Sequence, residues 1–244
     1  MGERRLSPAT DASSIDDDAE RVRREYARRA ADPRLKAYYT RIAHAKARAE
    51  SERRQALLEV LHRSGSYGST RILDVGCGPG DDLAFLLSAG FTASNLGGID
   101  LIDGDVRHAR GRLPGLDLRI GNGASLPYGD GTFDAVYQTT VLSSIVTADV
   151  RQRVAREMVR VTRDGGLVIS YDMSRVADGN PHLVRIDDRE LHRLFSGAGE
   201  LVIRPMTLDM RVAARVPAGV ASVLNGIRGA RQARFAVLTR TARR

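Results

Sequence analysis

Short apolar runs alternate with amphipathic stretches from residue 71 onward. The runs predict seven strands, at 71–75, 96–100, 117–120, 133–138, 166–172, 201–203 and 234–239. Amphipathic stretches predict helices at 80–89, 104–112, 148–162 and 188–195. This alternation implies right-handed crossovers and an α/β, doubly wound, mostly parallel sheet with helices on both faces. Sheets of this kind bind ligands beyond the carboxyl ends of their strands.

A helical pattern precedes the sheet. Residues 16–64 carry apolar side chains at helical spacing, and Asp32 followed by Pro33 is typical of a helix start. We therefore predict an N-terminal helical cover over 16–64 that forms a single domain with the core at 65–244. Residues 1–15 are small, polar and aperiodic, and we expect them to be disordered.

Another apolar stripe lies between the last two predicted strands. Its helical spacing predicts an amphipathic helix carrying Val216, Val220, Val223, Leu224 and Ile227. Such a stripe either covers the core or joins two subunits, so a homodimer remains open.

Composition indicates an ordinary enzyme of the cytoplasm. The chain has 244 residues, of which 42% are hydrophobic, enough for one α/β domain. Cys77 is the single cysteine, which excludes an internal disulfide and a cysteine-based zinc site, and we assign no metal. No signal-peptide pattern and no membrane-spanning run is present, so we expect a cytoplasmic location and no membrane partner.

The formal charge of +8 raises the question of a nucleic-acid partner. Nearly all of the positive charge is arginine, with Lys36 and Lys46 the only lysines. Basic residues occur along 21–63, along 151–163 and in the C-terminal tail. We interpret them as a compositional bias and expect a small-molecule substrate.

A glycine-rich turn follows the first predicted strand. Residues 71–80 end in three glycines that allow positive φ and a close approach of the backbone to a ligand: Gly76, Gly78 and Gly80. Asp100 follows about twenty positions later, where a carboxylate can accept both hydroxyls of a ribose. The alternative for Asp100 is a cap on the helix at 104–112.

Acidic residues surround this turn. A dinucleotide fingerprint would have its third glycine where this chain has Asp81. Together with Asp74 and Asp82, this carboxylate repels phosphate and favours a cationic ligand. Residues 73–80, Leu-Asp-Val-Gly-Cys-Gly-Pro-Gly, resemble the first motif of the class I S-adenosylmethionine-dependent methyltransferases. The resemblance implies S-adenosylmethionine as cofactor and a Rossmann-like, seven-stranded sheet whose final strand is antiparallel and inserted beside its neighbour.

Further segments resemble motifs of the same family. In the family an acid after the third strand contacts the adenine amino group, and Asn122 replaces it here with an uncharged acceptor. The resemblance places Leu101 on the adenine and Gln138 at the amino end of the donor. We assign cofactor binding to Tyr26, Asp74, Gly76, Cys77, Gly78, Gly80, Asp100, Leu101, Asn122, Gly123, Ala124 and Gln138.

Methyl transfer to a hydroxyl benefits from a general base. His182 and Asp172 follow the strand at 166–172, and we predict that both overhang the methyl donor; His44 is a third candidate. Taken singly, His182 and Asp172 also fit ordinary roles in loop hydrogen bonding.

These observations predict a methyltransferase acting on a small polar acceptor. We expect O-methylation of a sugar or natural-product intermediate in a bacterial biosynthetic pathway. One alternative is an RNA methyltransferase that uses its arginines, although the Asn/Asp-Pro-Pro-aromatic signature of base-amine methylation is missing after residue 138. The other alternative is a protein that binds S-adenosylmethionine without catalysis.

Overall fold

Three helices precede the sheet. The computed structural model describes residues 8–176, 179–208, 210–213, 215 and 231–242. The first helices are α1 (Pro8–Ala31), α2 (Pro33–Arg41) and α3 (Ala43–Ser64). The side chain of Asp32 caps α2 by accepting from the backbone N–H groups of residues 34 and 35, at 2.8 and 3.4 Å. Helix α1 begins at Pro8, eight residues before the predicted start at residue 16, and so includes part of the segment 1–15 that we expected to be disordered.

The remaining elements follow the predicted alternation. They are β1 (Ile72–Val75), α4 (Asp81–Ser88), β2 (Leu96–Asp100), α5 (Asp103–Arg112), β3 (Asp117–Ile120), β4 (Phe133–Thr139), α6 (Val141–Ser144), α7 (Ala148–Val161), β5 (Thr162–Met173), α8 (Asp188–Leu194), β6 (Gly199–Leu208), α9 (Met210–Ala213) and β7 (Arg231–Arg240). The predicted helix with the apolar stripe at 216–227 lies outside the described residues.

The seven strands form one sheet in the order β3-β2-β1-β4-β5-β7-β6. The first five strands of this order are parallel. Strand β7 is antiparallel to both neighbours and lies between β5 and β6. The doubly wound sheet and its inserted antiparallel strand are therefore confirmed. Chain order reverses direction at β1, which pairs with β2 and β4, and this is where such sheets bind ligands.

Two hydrophobic layers cover the sheet. Helices α3, α4 and α5 cover one face, and their fully buried side chains include Leu57, Leu61, Leu83, Leu86 and Val106. Helices α7 and α8 cover the other, with Val154, Met158, Leu191 and Leu194 buried. Adjacent residues of β1 belong to opposite layers, as the two-residue repeat of a strand requires: Ile72 to the first and Leu73 to the second. Each such side chain contributes about 2 kcal/mol by burial.

Helix α1 is joined to the carboxyl end of the sheet by polar contacts. The Asp18 carboxylate accepts from the backbone N–H of Thr147 at 3.2 Å. The Arg21 guanidinium donates to the backbone carbonyl of Ser144 at 2.5 Å. These contacts hold the helical cover over the edge where ligands bind. Within the described part of the chain, none of the helices combines the length and apolarity that crossing a bilayer requires.

Candidate functional site

A cavity of about 410 Å³ lies at the carboxyl ends of β1, β2 and β4, below helices α1 and α3. Side chains from the cover and loops from the sheet line it together. Nine residues assigned to cofactor binding line this cavity: Tyr26, Asp74, Gly76, Cys77, Gly78, Asp100, Leu101, Asn122 and Gly123. Three others do not line it: Gly80, Ala124 and Gln138.

The glycine turn provides the floor of the cavity. Gly76 has φ 77° and Gly78 has φ 50°, a region that side chains disfavour. A Cβ on Gly76 would overlap Val141, whereas a Cβ on Gly78 would project into open space. The missing side chain at residue 78 therefore leaves room for a ligand against the backbone. Gly80 has another role, because a Cβ there would meet Leu113 of the α5 end at 2.7 Å.

Asp100 ends β2 and faces the cavity. One carboxylate oxygen accepts from the backbone N–H of Gly78 at 2.8 Å, and the other accepts from the N–H of Ile102 at 2.8 Å. Burial raises the pKa of this carboxyl, and the two backbone donors partly offset the rise. Each oxygen keeps a lone pair, so the carboxylate can accept two further hydrogen bonds from a vicinal diol.

Asn122 forms a tight turn after β3. Its amide oxygen accepts from the backbone N–H of Ala124 at 2.9 Å, and its backbone carbonyl accepts from Ser125 at 3.0 Å. The amide oxygen retains one lone pair for a ligand. Ala124 is fully buried behind the turn, so it shapes the cavity without lining it.

The opposite end of the cavity is charged. Asp82 of α4 accepts from Arg53 at 2.5 and 3.0 Å and from Arg54 at 2.9 Å. Burial opposes ionisation of Asp82, but the two arginines lower its pKa below the ordinary value. Asp74 at the end of β1 is buried with less compensation, and burial followed by the neighbouring carboxylate of Asp82 raises its pKa well above the ordinary value. A cation bound here would favour the ionised form of Asp74.

Arg53 is a cavity residue that the sequence analysis missed. Its side chain, in α3, donates to the hydroxyls of Tyr137 and Thr139 and lies 5.7 Å from the centre of the Tyr171 ring. The residue is only 6% exposed. Its spacing of four and eight positions from Leu57 and Leu61, both fully buried, is the signal that could have identified it, because an arginine on a buried stripe needs partners.

Gln138 and Asp172 support the wall of the cavity from behind. The Gln138 amide donates to Asp172 at 3.1 Å and to Ser170 at 2.5 Å, while its oxygen accepts from the Val141 N–H at 2.8 Å. Asp172 also accepts from the backbone N–H of Ser143 at 3.2 Å. Both side chains are fully buried, and burial raises the pKa of Asp172 to about 6. The structure therefore places them as supports of α6, and Asp172 does not overhang the cavity as we had predicted.

His182 contacts the helical cover instead of Asp172. Its Nε2 lies 3.4 Å from a carboxylate oxygen of Glu25 in α1. Hydrogen bonds from Arg28 and Arg29 hold this carboxylate, and chiefly the bond from Arg28 lowers the pKa of Glu25 to about 2. His182 does not line the cavity, and the predicted pairing with Asp172 is not formed. The third candidate, His44, lies exposed on α3.

A comparison with known families decides the identity of this core. Residues 72–166 match a family model described as "Methyltransferase domain". The chain contains a class I S-adenosylmethionine-dependent methyltransferase domain. Helices α1 to α3 lie outside the matched segment.

Curated relatives of the methyltransferase domain cover part of this chain. The 24-methylenesterol C-methyltransferase 2 of Oryza sativa subsp. japonica is 37% identical over 108 residues, which are 42% of this chain and 28% of that protein. The phthiotriol/phenolphthiotriol dimycocerosates methyltransferase of Mycobacterium tuberculosis is 34% identical over 123 residues, 48% of this chain and 44% of that protein. The chain thus spans less than half the length of these relatives.

Solved structures share the fold of the methyltransferase domain at low identity. Geranyl diphosphate methyltransferase in complex with S-adenosylmethionine aligns with a TM-score of 0.61 and 17% identity over 85% of this chain and 91% of that one. The [4+2]-cyclase SpnF aligns with a TM-score of 0.53 and 20% identity over 72% of this chain and 77% of that one. These likenesses establish the fold alone.

The cavity of the methyltransferase domain fits S-adenosylmethionine. Gly78 leaves open space beside the backbone, Asp100 offers two free acceptor positions, and Asn122 offers another. Burial raises the pKa of Asp74 and favours its neutral form, and a bound cation would favour the ionised form, which then offers it a negative charge. The residues at this site therefore match a nucleoside at one end and a positively charged amino-acid group at the other.

A second wall of the cavity is formed by α1 and the α6 region, and it includes Tyr26, which we had assigned to cofactor binding. It combines apolar side chains with two hydroxyls, in Val22, Tyr26, Val141, Ser144 and Ile145. Tyr26 is 41% exposed. Partial burial raises the pKa of its hydroxyl, and a hydrogen bond with Ser144 partly offsets this rise.

Proposed function

We propose that this protein transfers a methyl group from S-adenosylmethionine to a small organic acceptor. The observation that carries the proposal is the cavity itself, which joins the glycine turn, Asp100 and Asn122 to an acidic end and to a partly apolar second wall. When bound, S-adenosylmethionine supplies an electrophilic methyl group whose positive charge disappears on transfer. The protein therefore has to align the acceptor with the methyl group and exclude water.

The chain's own residues fit these two tasks. Asp100 and Asn122 hold the nucleoside, while Asp74 lies beside the cationic end. Val141 and Ile145 line the second wall and keep water from the reacting atoms. Both lie on or next to α6, which the buried Gln138–Asp172 network fixes through backbone N–H groups.

For the acceptor we propose a hydroxyl of a sugar or natural-product intermediate in a bacterial biosynthetic pathway. The mixed second wall supports this class, because Tyr26 and Ser144 can hydrogen-bond an oxygen while Val22 packs against a carbon skeleton. A hydroxyl loses its proton on methylation, and a base must receive it. Neither His182 nor Asp172 lines the cavity, so we propose that the proton reaches His182, the more exposed of the two at 35%, through water.

Carbon methylation of an isoprenoid or sterol-like acceptor is a second candidate. Among the described residues of the wall formed by α1 and α6, none is a carboxylate or a histidine. A carbon–carbon double bond attacks a methyl group without prior deprotonation, so no base has to contact the acceptor before the new bond forms. The carbocation that results then loses a proton to water or to a carboxylate elsewhere in the cavity, such as Glu50. The names of the sterol C-methyltransferase and geranyl diphosphate methyltransferase point the same way.

Incubation with methyl-labelled S-adenosylmethionine and a host extract tests the proposal. The extract is afterwards separated into small-molecule, nucleic-acid and protein fractions. Label in the small-molecule fraction supports methyl transfer to a small acceptor, and NMR of the product distinguishes an O-methyl from a C-methyl group. Label in RNA alone would favour the alternative of an RNA methyltransferase.

Tight binding of S-adenosylmethionine without label in any fraction would favour a protein that does not transfer methyl groups. This outcome has to be considered because proteins of one fold can carry out different reactions. The structural similarity of this chain to a [4+2]-cyclase is an example. Asp100→Ala is the negative control for each fraction, since it removes the main acceptor for the ribose.

A further inference from the structure

The positive charge of the chain is concentrated in one short stretch. Residues 21–48 contain ten of the 38 Lys and Arg residues but only two of the 30 Asp and Glu residues. This stretch therefore has a formal charge of +8, equal to that of the whole chain, and the other residues balance. It runs from the second half of α1 through α2 into the first turns of α3. The interpretation of the arginines as a uniform compositional bias is thus incomplete.

Helix α2 is the most exposed part of this stretch. None of its nine residues is buried. Apolar and aromatic side chains at helical spacing share one side of α2: Leu35, Tyr38 and Tyr39. Cations at both edges of that side flank them: Arg34, Lys36 and Arg41.

The cations of α2 have no acidic partner within the described part of the chain. The guanidinium of Arg41 lies 5.5 Å from the centre of the Tyr38 ring, and the rings of Tyr38 and Tyr39 meet edge to face at 5.6 Å. Tyr39 is 46% exposed. An apolar strip with tyrosines and flanking cations is the composition of a helix that lies in a membrane interface.

We propose that α2 docks on an anionic lipid surface, with Leu35, Tyr38 and Tyr39 toward the acyl boundary and the flanking cations against phosphate headgroups. Cations near an anionic leaflet are attracted by its negative surface potential, and interfacial tyrosines bury their rings while keeping the hydroxyl wet. The sequence analysis expected no membrane partner because no segment is long enough to span a bilayer. A helix that lies on the surface needs no such length.

Other occupants fit this surface less well. Two copies of the same positively charged surface would repel one another in a symmetric dimer. A nucleic acid would use the cations but gives no apolar phase for Leu35 and the tyrosine rings. Charge complementarity and the apolar strip together favour lipid.

The position of α2 gives this docking a use. Helix α2 connects α1 and α3, and both of these helices line the cavity, through Tyr26 and Lys46 among others. A bilayer held against α2 would contact the segment that joins two cavity-lining helices, and we expect a lipophilic acceptor to enter the cavity from that side. This use rests on the proposed function, whereas the docking itself does not.

Sedimentation of the full chain with lipid vesicles tests the proposal. The vesicles are phosphatidylcholine alone or phosphatidylcholine mixed with phosphatidylglycerol. We expect binding to the mixed vesicles only, weakened by added salt. The triple variant Arg34→Gln, Lys36→Gln, Arg41→Gln should partition about 100-fold less, since each cation at an anionic surface contributes about fivefold. Tyr38→Ser with Tyr39→Ser should weaken partitioning about tenfold.

A matched control removes the same charge elsewhere. Arg107, Arg156 and Arg189 are exposed on α5, α7 and α8, and changing all three to Gln should leave vesicle binding unchanged. Equal losses in both triple variants would overturn the proposal in favour of diffuse net charge. Absence of binding to mixed vesicles would also overturn the proposal. So would a competition in which RNA displaces the protein from the vesicles, if RNA also binds the double tyrosine variant as tightly as the wild type. Vesicle binding needs neither donor nor acceptor, so its failure is distinguishable from a failure of methyl transfer.

Discussion

Replacement of Asp100 by alanine is the most direct test of the donor site. The carboxylate has one oxygen on the Gly78 N–H and one on the Ile102 N–H, each at 2.8 Å, and this geometry leaves two acceptor positions toward the cavity. Asp100→Ala removes both. It also leaves two backbone donors without their acceptor, so the variant loses some stability as well as affinity.

The expected loss of affinity follows from these two acceptor positions. A hydrogen bond to a charged group contributes about 1.5–3 kcal/mol. Two such bonds to ribose hydroxyls give about 3–6 kcal/mol, and the lower end applies here because water can enter the open cavity and replace part of the lost interaction. A loss of about 3 kcal/mol corresponds to a dissociation constant on the order of 100-fold higher.

Titration calorimetry with S-adenosylmethionine measures this change. Asp103→Ala is the matched control, because this substitution removes the same charge three residues away. Asp103 is 45% exposed, pairs with Arg107 and does not line the cavity. It should bind the donor normally. Circular dichroism confirms that both variants are folded. A dissociation constant for Asp100→Ala within about threefold of the wild type, a difference below 1 kcal/mol, would refute the assignment of the ribose site.

Three further outcomes are expected. Because burial raises the pKa of Asp74, binding of a cationic donor should release a proton, and its affinity should rise with pH. In calorimetry, Asp74→Asn should abolish both the proton release and the pH dependence. A wild-type affinity that does not change with pH would contradict this assignment. The hydrogen bond from Arg28 lowers the pKa of Glu25 to about 2, so this carboxylate stabilises the fold above its unfolded pKa of 4.5. Glu25→Gln should therefore lower the free energy of unfolding, measured in urea at neutral pH, by about 1 kcal/mol. The difference from the wild type should vanish as pH falls toward 2. Arg53→Met should cost about 3 kcal/mol in the same assay and Arg54→Met under about 1, because only Arg53 is deeply buried; equal losses would exclude the buried network as the cause.

Local patterns in the sequence were enough to predict the alternation of strands and helices and one end of the cavity, whereas the inserted antiparallel strand was implied by the family resemblance alone. The glycine turn directly follows β1, Asp100 is the last residue of β2, and Asn122 lies two residues after β3. Their position at one edge is a consequence of parallel topology, because the carboxyl ends of parallel strands meet there. Each of these residues could be recognised from the few positions around it.

The roles of Gln138, Asp172 and His182 could not be predicted in this way. Asp172 is the last residue but one of β5, and its buried carboxylate accepts from Gln138 and from the N–H of Ser143. Its role therefore depends on burial and not on its place in the chain. His182 pairs with Glu25, which is 157 positions earlier, and no local pattern indicates so distant a partner. Arg53 is the intermediate case, since its helical stripe predicts burial without naming the partners.

The same contrast separates the two halves of the cavity. Residues from the sheet loops, which form the donor half, lie inside the segment 72–166 that matches the methyltransferase domain family. The second wall takes Val22 and Tyr26 from α1, and the charged end takes Arg53 from α3, both outside that segment. A family match therefore carries information about the donor and little about the acceptor. Because α2 connects these two helices, a surface that binds α2 would also act on the half of the cavity in which we propose that the acceptor binds.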